Sequence, residues 1–308
     1  MAIHYLTYDK IDKAKWDHCI SSSINGVIYA ESTYLDHMAE RWDGLVMDDY
    51  IAVMPVTWKM KWGIRYCYQP AFFQQGGVFS AEAISSTLVQ QFLDVLSLHF
   101  KFGEITLNEQ NRLPDSQSAY RTKLRNNFLL HLEKPYEIMA ANYNAYIRQR
   151  IGRAAKNKLV YGTSEDIASA LSTYENLYAQ KMDGRNKKDF EKFADLCEAY
   201  KKQGRLIVRT VHDENKKTLL AVVVMLRDNR SIYNLASSLL PEGKKLLANY
   251  FLYDNIIREY SNKKLTLDFE GSDIPGVAFF YEKFAQENKR YLFVKWNRLP
   301  KLIRLIKR

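Results

Sequence analysis

Two carboxylates set two residues apart, Asp268 and Glu270, stand in the stretch 265–272 (LTLDFEGS). Its alternation reads as a strand, with Leu267 and Phe269 turned to a core and both acids turned to the other side. A carboxylate at the edge of a dry cleft has a raised pKa and accepts the proton that an attacking amine must lose. Glu270, nearer the strand end, is the better candidate base, with Asp268 beside it. The plainer reading is that Glu270 or Ser272 caps the helix opened by Pro275, with Asp268 paired to a basic neighbour.

Three further groups could bind rather than react. Gly243, Lys244 and Lys245 open a helix after the loop 238–243 (SLLPEG). Glycine lets a backbone approach a phosphate, and lysines at a helix mouth suit an anion better than they suit the helix. Otherwise they are solvated. Ser237, before that loop, and Ser238, its first residue, join the donor-binding candidates; Tyr233, earlier on the strand, is a candidate substrate contact. The aromatic and amide-rich stretch 66–79 (YCYQPAFFQQGGVF) holds Gln69, Phe72, Phe73, Gln74 and Gln75. It suits a wall that grips amides or sugar hydroxyls, or a buried strand ending in a Gly76-Gly77 turn. Arg150 and Arg153 lie on a basic helix, 143–158, whose apolar stripe is Tyr143, Ile147 and Ile151. They bind phosphate bidentately or simply face water.

The elements that must position these groups run in a fixed order. Residues 219–226 (LLAVVVML) form a continuous apolar run, as in a strand covered on both faces. A strand at 231–237, a loop, a helix reaching Ile257, the strand 265–269 and a helix from Pro275 to Ala285 follow. The same order occurs earlier: 50–58 parallels 219–226, 64–68 parallels 231–236, the helix 81–100 follows, and 103–111 parallels 265–272. That repetition predicts a duplicated domain. The boundary is expected near residues 133–137, where Lys134-Pro135 breaks a strand at 125–132, giving domains 1–135 and 136–308. A helix at 138–158, a strand at 159–163, helices at 167–181 and 189–203 and strands at 205–212 and 291–296 complete the second half.

Composition bounds the partners. The 308 residues carry a formal charge of +10, which predicts an anionic partner: a diphosphate-bearing substrate, tRNA held through its phosphates, or an acidic membrane face. Three scattered cysteines and six scattered histidines give neither a disulfide framework nor metal-ligand spacing, so no metal is expected. The N-terminus lacks a secretory pattern, and no apolar run approaches about 20 residues, so cytoplasmic residence is expected. The tail 299–308 (LPKLIRLIKR) is basic and amphipathic. It rests weakly on an anionic membrane or docks onto the first domain.

In this order of elements, in the passage 235–247 (LASSLLPEGKKLL), in the strand end 267–271 (LDFEG) and in the basic helix 148–158 (RQRIGRAAKNK), the chain resembles the GNAT acyltransferase fold. Two such domains in one chain are similar to the FemAB family, which adds amino acids to peptidoglycan precursors. The resemblance implies an α+β protein: two tandem GNAT-like domains side by side, with mixed, splayed sheets flanked by helices. It implies acyl or aminoacyl transfer to an amine, with no tightly bound cofactor and with aminoacyl-tRNA or acyl-CoA as co-substrate. The donor would lie at Gly243–Lys245 against a strand N–H freed by the splay, and the acceptor on Gln69–Gln75. The single glycine of the 241–245 loop departs from the acetyl-CoA-binding turn of that fold. An acyl-CoA enzyme acting on a small amine and a non-catalytic module for nucleic acid or a phosphorylated glycan precursor are the alternatives.

Overall fold

The computed structural model describes residues 2–114, 120–178, 186–271 and 274–300. The chain divides into two units, Met1–Arg125 with Arg290–Arg308, and Asn126–Lys289. In the first unit the order is β1 (Ile3–Leu6), α1 (Lys13–Ser22), α2 (Ser32–Met38), β2 (Arg41–Met47), β3 (Ala52–Lys61), β4 (Ile64–Cys67), β5 (Phe79–Ser80), α3 (Ser86–His99), β6 (Phe102–Thr106) and β7 (Arg121–Arg125). The second unit begins with β8 (Phe128–His131), α4 (Tyr136–Ala141), α5 (Ala145–Ala154), β9 (Val160–Thr163), α6 (Ile167–Tyr178) and α7 (Lys187–Lys202). It continues through β10 (Leu206–His212), β11 (Leu219–Arg227), β12 (Ser231–Leu239), α8 (Pro241–Lys245), α9 (Ala248–Tyr260), β13 (Thr266–Asp268), α10 (Pro275–Phe284) and β14 (Glu287–Asn288). The strand β15 (Tyr291–Asn297) then returns to the first sheet.

Each unit is a mixed sheet flanked by helices, and the two share one plan. The first sheet runs β1-β2-β3-β4-β6-β15-β7, the second β9-β10-β11-β12-β13-β8-β14 in mirror order of description. In each, three antiparallel strands lead to a central parallel pair, β4 with β6 and β12 with β13. The duplicated order read from the sequence is therefore present in space. The strand beyond each parallel pair comes from elsewhere in the chain: β15 from the C-terminal end completes the first sheet, and β8, between the two halves, completes the second.

That exchange moves the boundaries. The expected division at 135/136 is replaced by crossings at 125/126 and 289/290. The expected strand 125–132 is two strands in different sheets, interrupted where the Asn127 N–H donates to Asn288 Oδ1 (3.2 Å) and Asn288 Nδ2 donates to Asn126 Oδ1 (3.0 Å). The expected helix 138–158 is also two. Asn144 caps α5, its side chain accepting the Ile147 N–H at 3.0 Å, so the chain restarts there instead of continuing α4.

Burial follows the apolar pattern. Seven consecutive residues of β11, Leu220–Leu226, are buried, and both α9 and α6 pack against this strand. In the first unit α3 lays Val89, Phe92, Leu93 and Leu96 onto the sheet. All three cysteines are buried and free. Among the described residues no helix is long and apolar enough to cross a membrane. Most of the amphipathic tail, 301–308, lies outside the described residues; Leu299 before it is buried.

Candidate active site in the second unit

The parallel pair of the second sheet separates early. Ser231, Ile232 and Tyr233 pair with Thr266, Leu267 and Asp268, and β13 then ends. β12 runs on to Leu239, bonded only to β11 among the described strands. A bulge at Leu235 bends β12 at the point of parting: Val224 faces Ala236 while Met225 faces Asn234. Beyond it, the Leu240 N–H donates to the Leu220 carbonyl at 3.0 Å. Strand alternation therefore turns the Ser237 and Leu239 N–H groups away from β11, toward the opening. The Leu239 N–H meets the Tyr178 hydroxyl there.

What ends β13 is local chemistry. Asp268 Oδ1 accepts the Glu270 N–H at 2.7 Å, closing a tight turn, and Glu270 adopts φ +59°. Phe269 is fully buried, stacked on Tyr281 with ring centres 5.3 Å apart. The chain then bonds across to β8.

Polar groups gather at the opening. Asn234 Nδ2 donates to the Tyr281 hydroxyl at 2.9 Å. Tyr253 on α9 lies close to Ser237, Tyr281 and Asn234; burial pushes its hydroxyl up to about 12 while those neighbours pull it back. Burial, then Tyr253, carries the Tyr281 hydroxyl well above the ordinary tyrosine value. Asn234 and Ser238 are both at least 95% buried, yet Asn234 Oδ1 and Ser238 Oγ have no hydrogen-bond partner among the described residues. Each unpaired buried group costs about 1–3 kcal/mol, a cost that polar groups of a ligand would remove. None of Asn234, Tyr253 or Tyr281 was marked by the sequence reading. The only hint was an asparagine within a buried apolar strand.

The expected site residues fall in several places. Asp268 and Glu270 do not share a strand face: Asp268 is buried, also accepting from Asn127 Nδ2 at 3.3 Å, and Glu270 lies past the strand end, half-buried. Gly243 is inside α8, where a Cβ would stand 2.1 Å from the Leu220 carbonyl oxygen, so close packing on β11 requires the glycine. Lys244 and Lys245 form the last turn of α8, not a helix mouth, and Lys245 pairs with Glu242 at 2.8 Å. Ser237 and Ser238 do lie along the opening. Tyr233 is core, its hydroxyl donating to Asp228 at 2.8 Å. Arg150 is half-buried, its guanidinium 4.9 Å above the Tyr146 ring, and Tyr146 meets Tyr250 hydroxyl to hydroxyl at 3.2 Å. Arg153 is exposed.

The expected acceptor wall in the first unit is turned inward. Gln69 Nε2 donates to the carbonyls of Phe73 and Gln74, and Gln75 Nε2 donates to Gln74 Oε1 at 3.1 Å. Phe72, Phe73, Gln74 and Gln75 are buried, with Phe73 against Tyr29 at 5.7 Å.

Residues 141–276, which contain β12 and β13, match the family model described as an acetyltransferase (GNAT) domain. The whole chain adopts the tandem-GNAT fold expected from its element order. A crystal structure of FemX covers 100% of both chains with TM-score 0.68 and 13% identity. A tandem GNAT protein from the clavulanic acid biosynthesis pathway covers 97% of this chain and 100% of its own, with TM-score 0.54 and 10% identity. The C-terminal domain (DUF2156) of a putative lysylphosphatidylglycerol synthetase from Agrobacterium fabrum covers 96% and 95%, with TM-score 0.54 and 12% identity. No curated protein sequence matches the chain.

Proposed function

We propose that the chain is an N-acyltransferase that moves an aminoacyl or acyl group from an activated ester or thioester onto an amine. The observation that carries this reading is the parting of β12 from β13 after Tyr233 and Asp268. The donor carbonyl oxygen accepts the Ser237 N–H, which stabilises the oxyanion formed as the amine nitrogen bonds to the carbonyl carbon. The nitrogen's proton passes to the Glu270 carboxylate. The departing oxygen or sulfur takes its proton from the Tyr281 hydroxyl, which stands at the opening. Asn234 positions Tyr281, and Asp268 fixes the turn that carries Glu270. In this reading Arg150 meets a donor phosphate, and the net charge of +10 suits a tRNA or a diphosphate.

The FemAB resemblance favours aminoacyl-tRNA as donor. The GNAT match over 141–276 favours acyl-CoA as a second reading. Incubation with aminoacyl-tRNA and nucleotide-linked or lipid-linked muropeptides, against acyl-CoA with a panel of amines and a thiol-release readout, separates them. One donor should be consumed and should raise the melting temperature. Glu270→Gln should lower kcat about 100-fold with an unchanged melting temperature. Consumption of neither donor, with no thermal shift, rejects the reading.

A further inference from the structure

The β3–β4 hairpin of the first unit ends in a two-residue turn, Trp62-Gly63, with Lys61 paired to Ile64 across it. Both turn residues have positive φ, +51° and +74°. This is the backbone of a type I′ turn, which prefers Asn, Asp or Gly at its first central position. A bulky residue with positive φ is an outlier, yet tryptophan stands here. Its side chain gains no core contact in return: Trp62 is 72% exposed, and Met60 beside it is 52% exposed. The tip is built against its own turn preference so as to present an apolar ring to the outside.

Within the hairpin segment itself the charge is of one sign. Residues 50–81 hold Lys59, Lys61 and Arg65 and no carboxylate. Lys61 sits 4.7 Å above the Trp62 ring. Arg65 lies over the Trp58 and Phe100 rings, and Lys59 is 3.7 Å from Glu40, which leaves Lys61 the most outward of the three. An exposed indole and a thioether, with Lys61 over the indole and Lys59 and Arg65 farther down the same hairpin, match the boundary of an anionic bilayer. There tryptophan rests among the headgroups, and basic side chains reach the lipid phosphates with their stems against the apolar layer.

We propose that this hairpin tip is a peripheral membrane contact, with Trp62 and Met60 entering the headgroup layer and Lys61 and its basic neighbours facing anionic lipid. Co-sedimentation of the full chain with phosphatidylglycerol–phosphatidylcholine vesicles tests it. The chain should bind these vesicles, bind pure phosphatidylcholine vesicles more weakly, and release as salt rises. Trp62→Asn should lower partitioning about tenfold or more. It should leave the melting temperature unchanged or raised, because Asn-Gly fits the turn better than Trp-Gly. Lys61→Glu should weaken binding on anionic vesicles only. Three results overturn the proposal: no vesicle binding by the parent chain, equal binding by Trp62→Asn, or binding lost on removing 301–308 but untouched by Trp62→Asn. Concentration-dependent dimerisation abolished by Trp62→Asn, without vesicle binding, would assign the tip to a second copy and also overturn it.

Discussion

The two units open their sheets at the same place and treat the opening differently. In the first unit β4 and β6 meet only at Cys67 and Gly103 before parting. The chain then folds back into its own wedge. The Gly76 N–H donates to the Thr106 carbonyl at 3.2 Å, and Asn108 Nδ2 donates to the Gly76 carbonyl at 2.9 Å. Asn111 brackets Val78, accepting its N–H at 2.7 Å and donating to its carbonyl at 3.0 Å. Gln69, Phe73, Gly76 and Thr106 line what is left, about 10 Å³, room for roughly one water. Thr106 Oγ1 stays unpaired beside it. In the second unit the corresponding segment is the short α8, drawn onto β11 by Gly243, and the wedge keeps Asn234, Tyr253 and Tyr281 facing it. Both units keep the fold, but the first fills its opening with its own backbone and amide hydrogen bonds, Thr106 Oγ1 apart, while the second leaves Asn234 Oδ1 and Ser238 Oγ without a partner among the described residues.

Closing the second opening should have the largest effect. Asn234→Leu with Tyr281→Phe removes both partners of a buried hydrogen bond and one orphaned oxygen together. Replacing both partners by apolar groups is nearly neutral for stability. Transfer activity should fall at least about 100-fold, as expected when a proton donor is lost, with the melting temperature unchanged or higher. Activity retained in the double variant would mean that the second wedge is as inert as the first.

Gly243→Ala attacks the same wedge from its packing. The added Cβ would meet the Leu220 carbonyl at 2.1 Å, so α8 must lift from β11. A loss of about 3 kcal/mol is expected from such overpacking, measured by denaturant unfolding. A phosphate-binding role for this glycine would instead cost donor affinity with little change in stability.

The matching change in the first unit is Asn111→Ala. It strands the Val78 N–H and carbonyl in the interior and should cost about 2 kcal/mol, with turnover per folded molecule unaltered. A fall in kcat equal to that of the wedge-closing variant would show the first opening to be part of the site.

These contrasts were only partly legible in the sequence. The buried run 219–226 and the repeated order of elements were legible, because burial on both faces and the succession of strands and helices are written locally. The strand exchange was not, since nothing in 128–131 or 291–297 says which sheet will take it. Asn144 hid a helix break inside a pattern that was apolar at helical spacing on both sides. The site suffered most. Asn234, Tyr253 and Tyr281 come from β12, α9 and α10 and share no spacing, whereas the eye-catching glutamines at 69, 74 and 75 bond to their own segment. Glu270 and Asp268 were visible as acids, but the turn that separates them depends on a side-chain bond to the backbone.

A smaller difference between the units should appear in alkali. Among the described residues, burial raises Tyr136, Tyr143, Tyr161, Tyr178, Tyr250, Tyr253, Tyr260 and Tyr281 of the second unit and Tyr5, Tyr66 and Tyr120 of the first. A hydroxyl whose folded pKa exceeds its unfolded value keeps its proton longer in the folded state. Its contribution is therefore complete below about pH 10 and is lost as pH rises through the folded value. Among these residues the second unit holds the larger share, so it should loosen first. All five tryptophans, Trp16, Trp42, Trp58, Trp62 and Trp296, lie in the first unit, so their fluorescence reports that unit alone. On titration above pH 10, tyrosinate absorbance and helical circular dichroism should change before tryptophan emission shifts. Coincident transitions would mean that the two units unfold as one, and that the unpaired polar groups of the second opening weaken both equally.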